Sequence, residues 1–122
     1  MATPRAGASF KQGYVPELAD VVHLDWAPAL GHEMTGSHYG LVLSATVFNH
    51  ATGLVVVAPI TSKRGKVGSF DLEVRAGRVS GVALISGLRS LDYTTRNIQF
   101  ESRAPAAVVA EANRRIAMFL PA

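Results

Sequence analysis

The chain has 122 residues, 48% of them apolar and 17% charged, a composition that suits one compact domain and excludes a disordered polymer. It has no cysteine, which removes disulfide frameworks, thiolate metal centres and cysteine nucleophiles. The net charge of +3 is uneven, with two cations against four acids in residues 1–60 and ten against five in residues 61–122, so the C-terminal half leans toward a polyanionic or acidic partner.

No apolar run approaches the roughly 20 residues of a membrane span, and the longest, Gly53–Ile60, suits a buried strand. Residues 1–13 carry two cations and no apolar stretch, unlike a secretory leader. They are expected to be a flexible tail ahead of a single domain over residues 14–122, in a cytoplasmic protein. Leu18–Trp26 is rich in β-branched residues and is expected as a strand, with His23 and Asp25 two apart on one face. Ala27–Gly40 carries Pro28, Gly31, Gly36 and Gly40 and is expected as a long loop. Leu41–Phe48 and Leu54–Thr61 are expected as two strands joined at a turn over Asn49–Gly53, which makes them a hairpin.

Ser62–Gly68 is a basic loop, and Ser69–Val74 alternates as a half-exposed strand. Gly81–Ile85 and Leu88–Leu91 are further short strands. After Pro105, Val109, Ala112, Ile116 and Phe119 fall at three- and four-residue steps. That is one apolar helical stripe, with Glu111 and Arg115 paired outside it and Pro121 closing the helix. The expected fold is α+β and mainly β: a small SH3-like antiparallel β-barrel packed by a C-terminal helix.

Three chemistries compete for the polar residues. His23 and Asp25 with His32 or His38 form a conceivable histidine–carboxylate metal site, but no HExxH or similar helical pair accompanies them. A serine hydrolase lacks its G-x-S-x-G elbow, so Ser44, Ser62 and Ser90 are read as satisfying backbone groups at strand ends. The third is phosphodiester chemistry. An antiparallel hairpin brings His38, at the start of one strand, beside Thr61, at the end of the next, with Lys63, Arg64 and Lys66 hanging over the same rim. Histidine moves protons near neutral pH, and a hydroxyl and cations stabilise phosphorane oxygens. The alternative for the same residues is a structural histidine beside a solvated loop.

The order and spacing of several segments resemble the MazF/PemK (Kid-like) toxin family of type II toxin–antitoxin systems. These segments are Tyr14–Val15–Pro16, Asp20, Asp25 and Pro28, then Gly31–His32–Glu33–Met34–Thr35–Gly36 for the family's Gly-x-Glu-x-x-Gly loop. Leu41–Ser44, Phe48–Asn49, Thr52–Gly53, the Val-x-Pro-x-Thr-Ser match at Val57–Ser62, Ser80–Leu84, Arg89–Asp92 and Arg96 complete the series. The resemblance implies a CcdB/MazF-type barrel that forms a homodimer. It implies a metal-independent, cofactor-free mRNA interferase that cleaves single-stranded RNA at a short sequence through its 2′-OH, leaving 2′,3′-cyclic phosphate and 5′-OH ends. It also implies a MazE-like antitoxin partner, contact with operator DNA only through the antitoxin complex, no membrane, and a bacterial cytoplasm.

Where the family has a catalytic arginine followed by proline, this chain has His38 and Tyr39, and Ser86–Gly87 replaces the usual Asp-Gln pair. By resemblance the catalytic set is His38, Thr61 and Glu33. The RNA-binding set is Tyr39, Asn49, Ser62, Lys63, Arg64, Lys66 and Arg89, with Tyr39 expected to stack on bases beside His38. Trp26 is expected in the core or at the dimer interface. Two alternatives accompany the interferase: a weakened toxin homologue acting mainly as an antitoxin-binding module, and a CcdB-like gyrase poison. The second is disfavoured because the chain ends Phe119–Leu120–Pro121–Ala122 and not Trp-Gly-Ile.

Overall fold

Among the described residues, seven strands and two α-helices follow the order β1 (Asp20–Asp25), β2 (Ser37–Val42), α1 (Thr46–Thr52), β3 (Leu54–Thr61), β4 (Leu72–Ala76), β5 (Val79–Ala83), β6 (Arg89–Asp92), β7 (Gln99–Arg103) and α2 (Ala106–Ile116). This is a computed structural model, and it describes residues 3–27, 36–62 and 68–121. The strands form one antiparallel sheet in the order β4-β5-β3-β2-β1-β7, with β6 pairing to β3. Eight-residue β3 organises it. Val57–Ile60 pair with β2, Ile60 and Thr61 with β5, and Leu54–Val57 with β6.

The sheet curls so that its two ends meet. At the tip of the β4–β5 hairpin, Arg78 Nε donates to Glu101 on β7 at 2.6 Å, and Ser102 Oγ donates to the Ala76 carbonyl at 2.8 Å. A register shift between Val21 and Val22 where β1 meets β7 accommodates both contacts. The result is a curled half-barrel with two helices, the fold class expected.

Side-chain alternation sorts the core into two layers. Val22, Leu24 and Trp26 face one way and pack with Val42, Val55, Val57, Leu91, Tyr93, Ile98 and Phe100. Val21, Leu41, Ala58 and Ile60 face the other way, against Val74, Ala76, Val79 and the α2 residue Ala112. Pro105 caps α2 and is not its first helical residue. Val109 and Ala112 are buried and Ile116 packs on the second layer, as the stripe requires. Phe119 lies beyond the helix, edge-on to Phe70 at 5.6 Å.

The expected hairpin is not there. Strand β2 ends at Val42, and the residues read as strand end and turn form α1. Side-chain bonds impose that helix. Ser44 Oγ donates to Asn49 Oδ1 at 2.5 Å, Asn49 Nδ2 donates to the Pro16 carbonyl at 2.8 Å, and Ser44 Oγ accepts from the Val56 amide at 2.9 Å. Gly53, at φ 71°, closes the helix with its amide on the Asn49 carbonyl at 3.0 Å. Strands β2 and β3 remain antiparallel neighbours across this helical connection. Strand β7 was not anticipated, because its sequence, QFESR, is too polar to announce a strand.

The N-terminal segment, expected as a flexible tail, makes backbone hydrogen bonds to β7. From residue 3 it is described and docked: the Gly7 amide donates to the Phe100 carbonyl at 2.6 Å and the Phe100 amide to the Ala8 carbonyl at 2.8 Å. Ser9 bridges Gln99, and Ser9 and Gln12 form a capping box around the 3-10 turn Phe10–Gln12. The edge of β7 is therefore covered by the chain itself.

Candidate active site

The β2–β3 ladder runs out at Tyr39↔Ile60. His38 and Thr61 are the next positions outward in that register, and residues opposed in an antiparallel register share a face. Leu24 pairs with His38 on the other side, and Thr61 with Val82. A row Leu24–His38–Thr61–Val82 thus crosses the sheet, apolar at both ends and polar in the middle. Both His38 and Thr61 are half-buried. An imidazole and a hydroxyl thus occupy successive places in that row at the sheet rim.

The backbone around His38 is tied on several sides. Trp26, fully buried, lies two residues past Leu24 and therefore on the same face. Its amide donates to the Gly36 carbonyl at 2.8 Å, and its indole Nε1 donates to the His38 carbonyl at 3.2 Å. Gly40 makes room for that ring, since a Cβ there would sit 2.9 Å from Trp26 Cζ2 and 2.5 Å from Val57 Cγ2. Ser37 Oγ donates to Asp25 Oδ1 across the pair. Arg96 Nη1 donates to the carbonyls of Ala27 at 2.5 Å and Asp25 at 3.2 Å, closing the root of the β1–β2 connection.

Trp26 and Arg96 as anchors of this corner were beyond sequence reasoning. The only hints were a single tryptophan next to Asp25 and the place of Arg96 in the family pattern.

The other expected residues divide. Tyr39 does not stand with His38, because neighbours on a strand point to opposite faces. It packs against the second core layer, edge-on to His23 at 5.0 Å, so base stacking beside His38 is not its arrangement. Asn49, expected to bind RNA, has no exposed surface, and its amide group is engaged by Ser44 and Pro16. Ser62 follows Thr61 and is exposed. Arg89 pairs with Val57, four residues before Thr61 on β3, about 13 Å away at strand spacing and on the same face. Glu33, Lys63, Arg64 and Lys66, with His32, lie outside the described residues. Among the described residues, no group of three or more His, Asp or Glu side chains is placed to hold a metal ion.

One buried polar network braces the far end of β1. The Asp20 carboxylate accepts from Tyr14 Oη at 2.6 Å, the Glu17 amide at 3.0 Å and Arg103 Nε at 2.9 Å. Burial first, and the Asp20 charge second, push the Tyr14 phenol far above its ordinary value. The hydrogen bond to Asp20 raises Arg103 likewise. This network belongs to the scaffold and not to the rim.

A family model described as PemK-like, MazF-like toxin of type II toxin–antitoxin system matches residues 17–120. The chain is 36% identical over 105 residues to endoribonuclease toxin ChpB of Escherichia coli K12, covering 82% of this chain and 90% of that one. It is 30% identical over 83 residues to endoribonuclease toxin MazF of the same organism, covering 68% and 74%. Among solved structures it is similar to MazF of Deinococcus radiodurans, with 37% identity and a TM-score of 0.81 over 89% of this chain and 99% of that one. It is also similar to a MazE–MazF complex structure from that organism, with 35% identity and a TM-score of 0.75 over 88% and 97%.

Proposed function

Because the chain belongs to the PemK-like, MazF-like toxin family of type II toxin–antitoxin systems, we propose that it is a sequence-specific endoribonuclease toxin that cleaves single-stranded RNA without a metal. The observation that supports this reading is the place of His38 and Thr61, each one position beyond the last β2–β3 pair, Tyr39↔Ile60. RNA supplies its own nucleophile. The 2′-oxygen forms a bond to phosphorus as its proton leaves, the bond from phosphorus to the 5′-oxygen breaks, and that oxygen takes up a proton. The products are a 2′,3′-cyclic phosphate and a 5′-OH.

His38 moves one of these two protons, a task for which imidazole is suited near neutral pH. Thr61 donates to a phosphorane oxygen as charge builds there. Glu33 is the candidate for the second transfer or for support of its own segment. Lys63, Arg64 and Lys66, with Ser62 and Arg89, supply phosphate contacts, the sequence-independent part of affinity.

The functional form is a homodimer neutralised by a MazE-like antitoxin whose acidic segment suits the basic half of this chain. Operator DNA is reached only through that complex. Among the described residues no helix is long and apolar enough to cross a membrane, and the cytoplasm is the proposed location.

The test is to incubate the purified chain with a long single-stranded RNA in EDTA, beside His38→Ala and Thr61→Ala, and to sequence the ends. Cleavage at a recurrent short word with 5′-OH ends, reduced at least about a hundredfold in both variants, is expected. Cleavage that survives His38→Ala moves the proton transfer to another residue. A folded chain that binds antitoxin and leaves RNA intact is a binding module and not an enzyme.

A further inference from the structure

The geometry points to Trp26 as a positioning residue for His38, acting through the indole N–H it donates to the His38 carbonyl. This inference rests on the proposed proton-transfer role of His38. The contact is specific in three respects.

The indole stands on the same face of the sheet as His38, because Trp26 is two residues beyond Leu24, the partner of His38 in the β1–β2 register. Its Nε1 lies 3.2 Å from the His38 carbonyl oxygen. The ring also has a passage cut for it. Gly40, two residues past His38, carries no Cβ, and one placed there would sit 2.9 Å from Trp26 Cζ2.

Hydrophobic burial does not by itself require the N–H. Trp26 is fully buried and packs in the first core layer with Leu24, Val42 and Val57, work a phenyl ring could also do. A buried indole does need an acceptor, and here that acceptor is the peptide of the proposed catalytic residue itself.

The position matters because the ladder ends there. Tyr39↔Ile60 is the last β2–β3 pair, so toward β3 the His38 peptide lies past the regular register. An added bond to its carbonyl limits rotation of the peptide and so of the Cα–Cβ vector that aims the imidazole. Misplacement of a reacting group by about 1 Å can lower a rate on the order of a hundredfold. Binding of RNA phosphates by the basic residues would be untouched.

The experiment compares the wild-type chain with Trp26→Phe and with a form carrying 3-benzothienylalanine at position 26. That analogue keeps the bicyclic ring and replaces the N–H by sulfur. The sequence has one tryptophan, so replacement is unambiguous and the indole gives a single N–H resonance. Three readings are taken: RNA cleavage resolved into kcat and KM, protection of the indole N–H from exchange, and the imidazole resonances of His38 beside those of His23 and His50.

Expected are a protected indole N–H and a kcat lowered about ten- to a hundredfold with KM within about twofold. The His38 imidazole resonances should shift while those of His50 stay still. The benzothienyl form keeps the comparison open if Trp26→Phe fails to fold.

An unprotected indole N–H, or unchanged kcat with unmoved His38 resonances in a folded variant, would overturn the inference and leave Trp26 as core filling. If the wild-type chain does not cleave RNA, the functional reading fails. The resonances alone then decide whether Trp26 positions His38.

Discussion

Replacing Asp20 with alanine should cost about 3 kcal/mol. The carboxylate is completely buried and accepts from Tyr14 Oη, the Glu17 amide and Arg103 Nε. Alanine leaves the Tyr14 hydroxyl, on a residue only 5% exposed, and the Glu17 amide without that acceptor, at about 1–3 kcal/mol for each buried orphan. The lost partner of Arg103 adds less. Its side chain is a third exposed and keeps Glu17 at 2.9 Å, so about 1 kcal/mol or less is assigned to it. For a chain of this size, 3 kcal/mol lowers the melting temperature by roughly 10 °C.

Urea and thermal unfolding are to be measured at matched protomer concentration, because self-association would stabilise by mass action. A double-mutant cycle separates the causes. In a Tyr14→Phe background the stranded hydroxyl is already gone, so Asp20→Ala should cost about 1–2 kcal/mol less than in the wild type. A loss below 1 kcal/mol, or strict additivity with Tyr14→Phe, would refute the claim that this network braces β1.

Other outcomes can be stated briefly. The folded-state shift of Tyr14 is upward, so its contribution to stability is complete below the unfolded tyrosine value of about 10 and is lost as pH rises beyond it. The wild type should therefore lose about 1.4 kcal/mol per pH unit above pH 10 through this group, and the corresponding decline in Tyr14→Phe should be shallower by about that slope in pH-dependent unfolding. Gly40→Ala forces a methyl group into Val57 and Trp26 and should destabilise by about 1–3 kcal/mol in the same measurement, moving the indole emission with it. An unchanged emission with unchanged stability would mean that the ring is free to shift. Arg78→Ala removes an exposed guanidinium from Glu101, whose side chain is only 9% exposed, and should lower the melting temperature less than Asp20→Ala does, so hairpin closure would rest on Ser102 and the apolar layer.

Much of this molecule is decided by local pattern. The β-branched run at Leu54–Thr61 and the stripe Val109–Ala112–Ile116 carry their periods in the sequence; the strand forms where it was expected, and the helix forms but stops at Ile116, short of Phe119 and the end expected at Pro121. The pairing of His38 with Thr61 was legible as well, since it needs only two antiparallel neighbours of roughly known ends. The connection between them was not. Thr46–Thr52 holds β-branched and turn-forming residues with poor helical propensity, and it becomes a helix because Asn49 is drawn to Pro16, 33 residues earlier. Likewise QFESR is a strand only because β1 and the N-terminal segment pair with its two edges. That same N-terminal segment looked like a tail for want of any local signal.

The sequence by itself determined the fold class, the family and the two polar residues at the rim, because periodicity and motif order are properties of neighbours along the chain. Only the tertiary structure decided that Tyr39 turns away from His38 while Trp26 turns toward it. Which face a strand residue takes, and what reaches it from 12 positions away, is set by register and packing between strands.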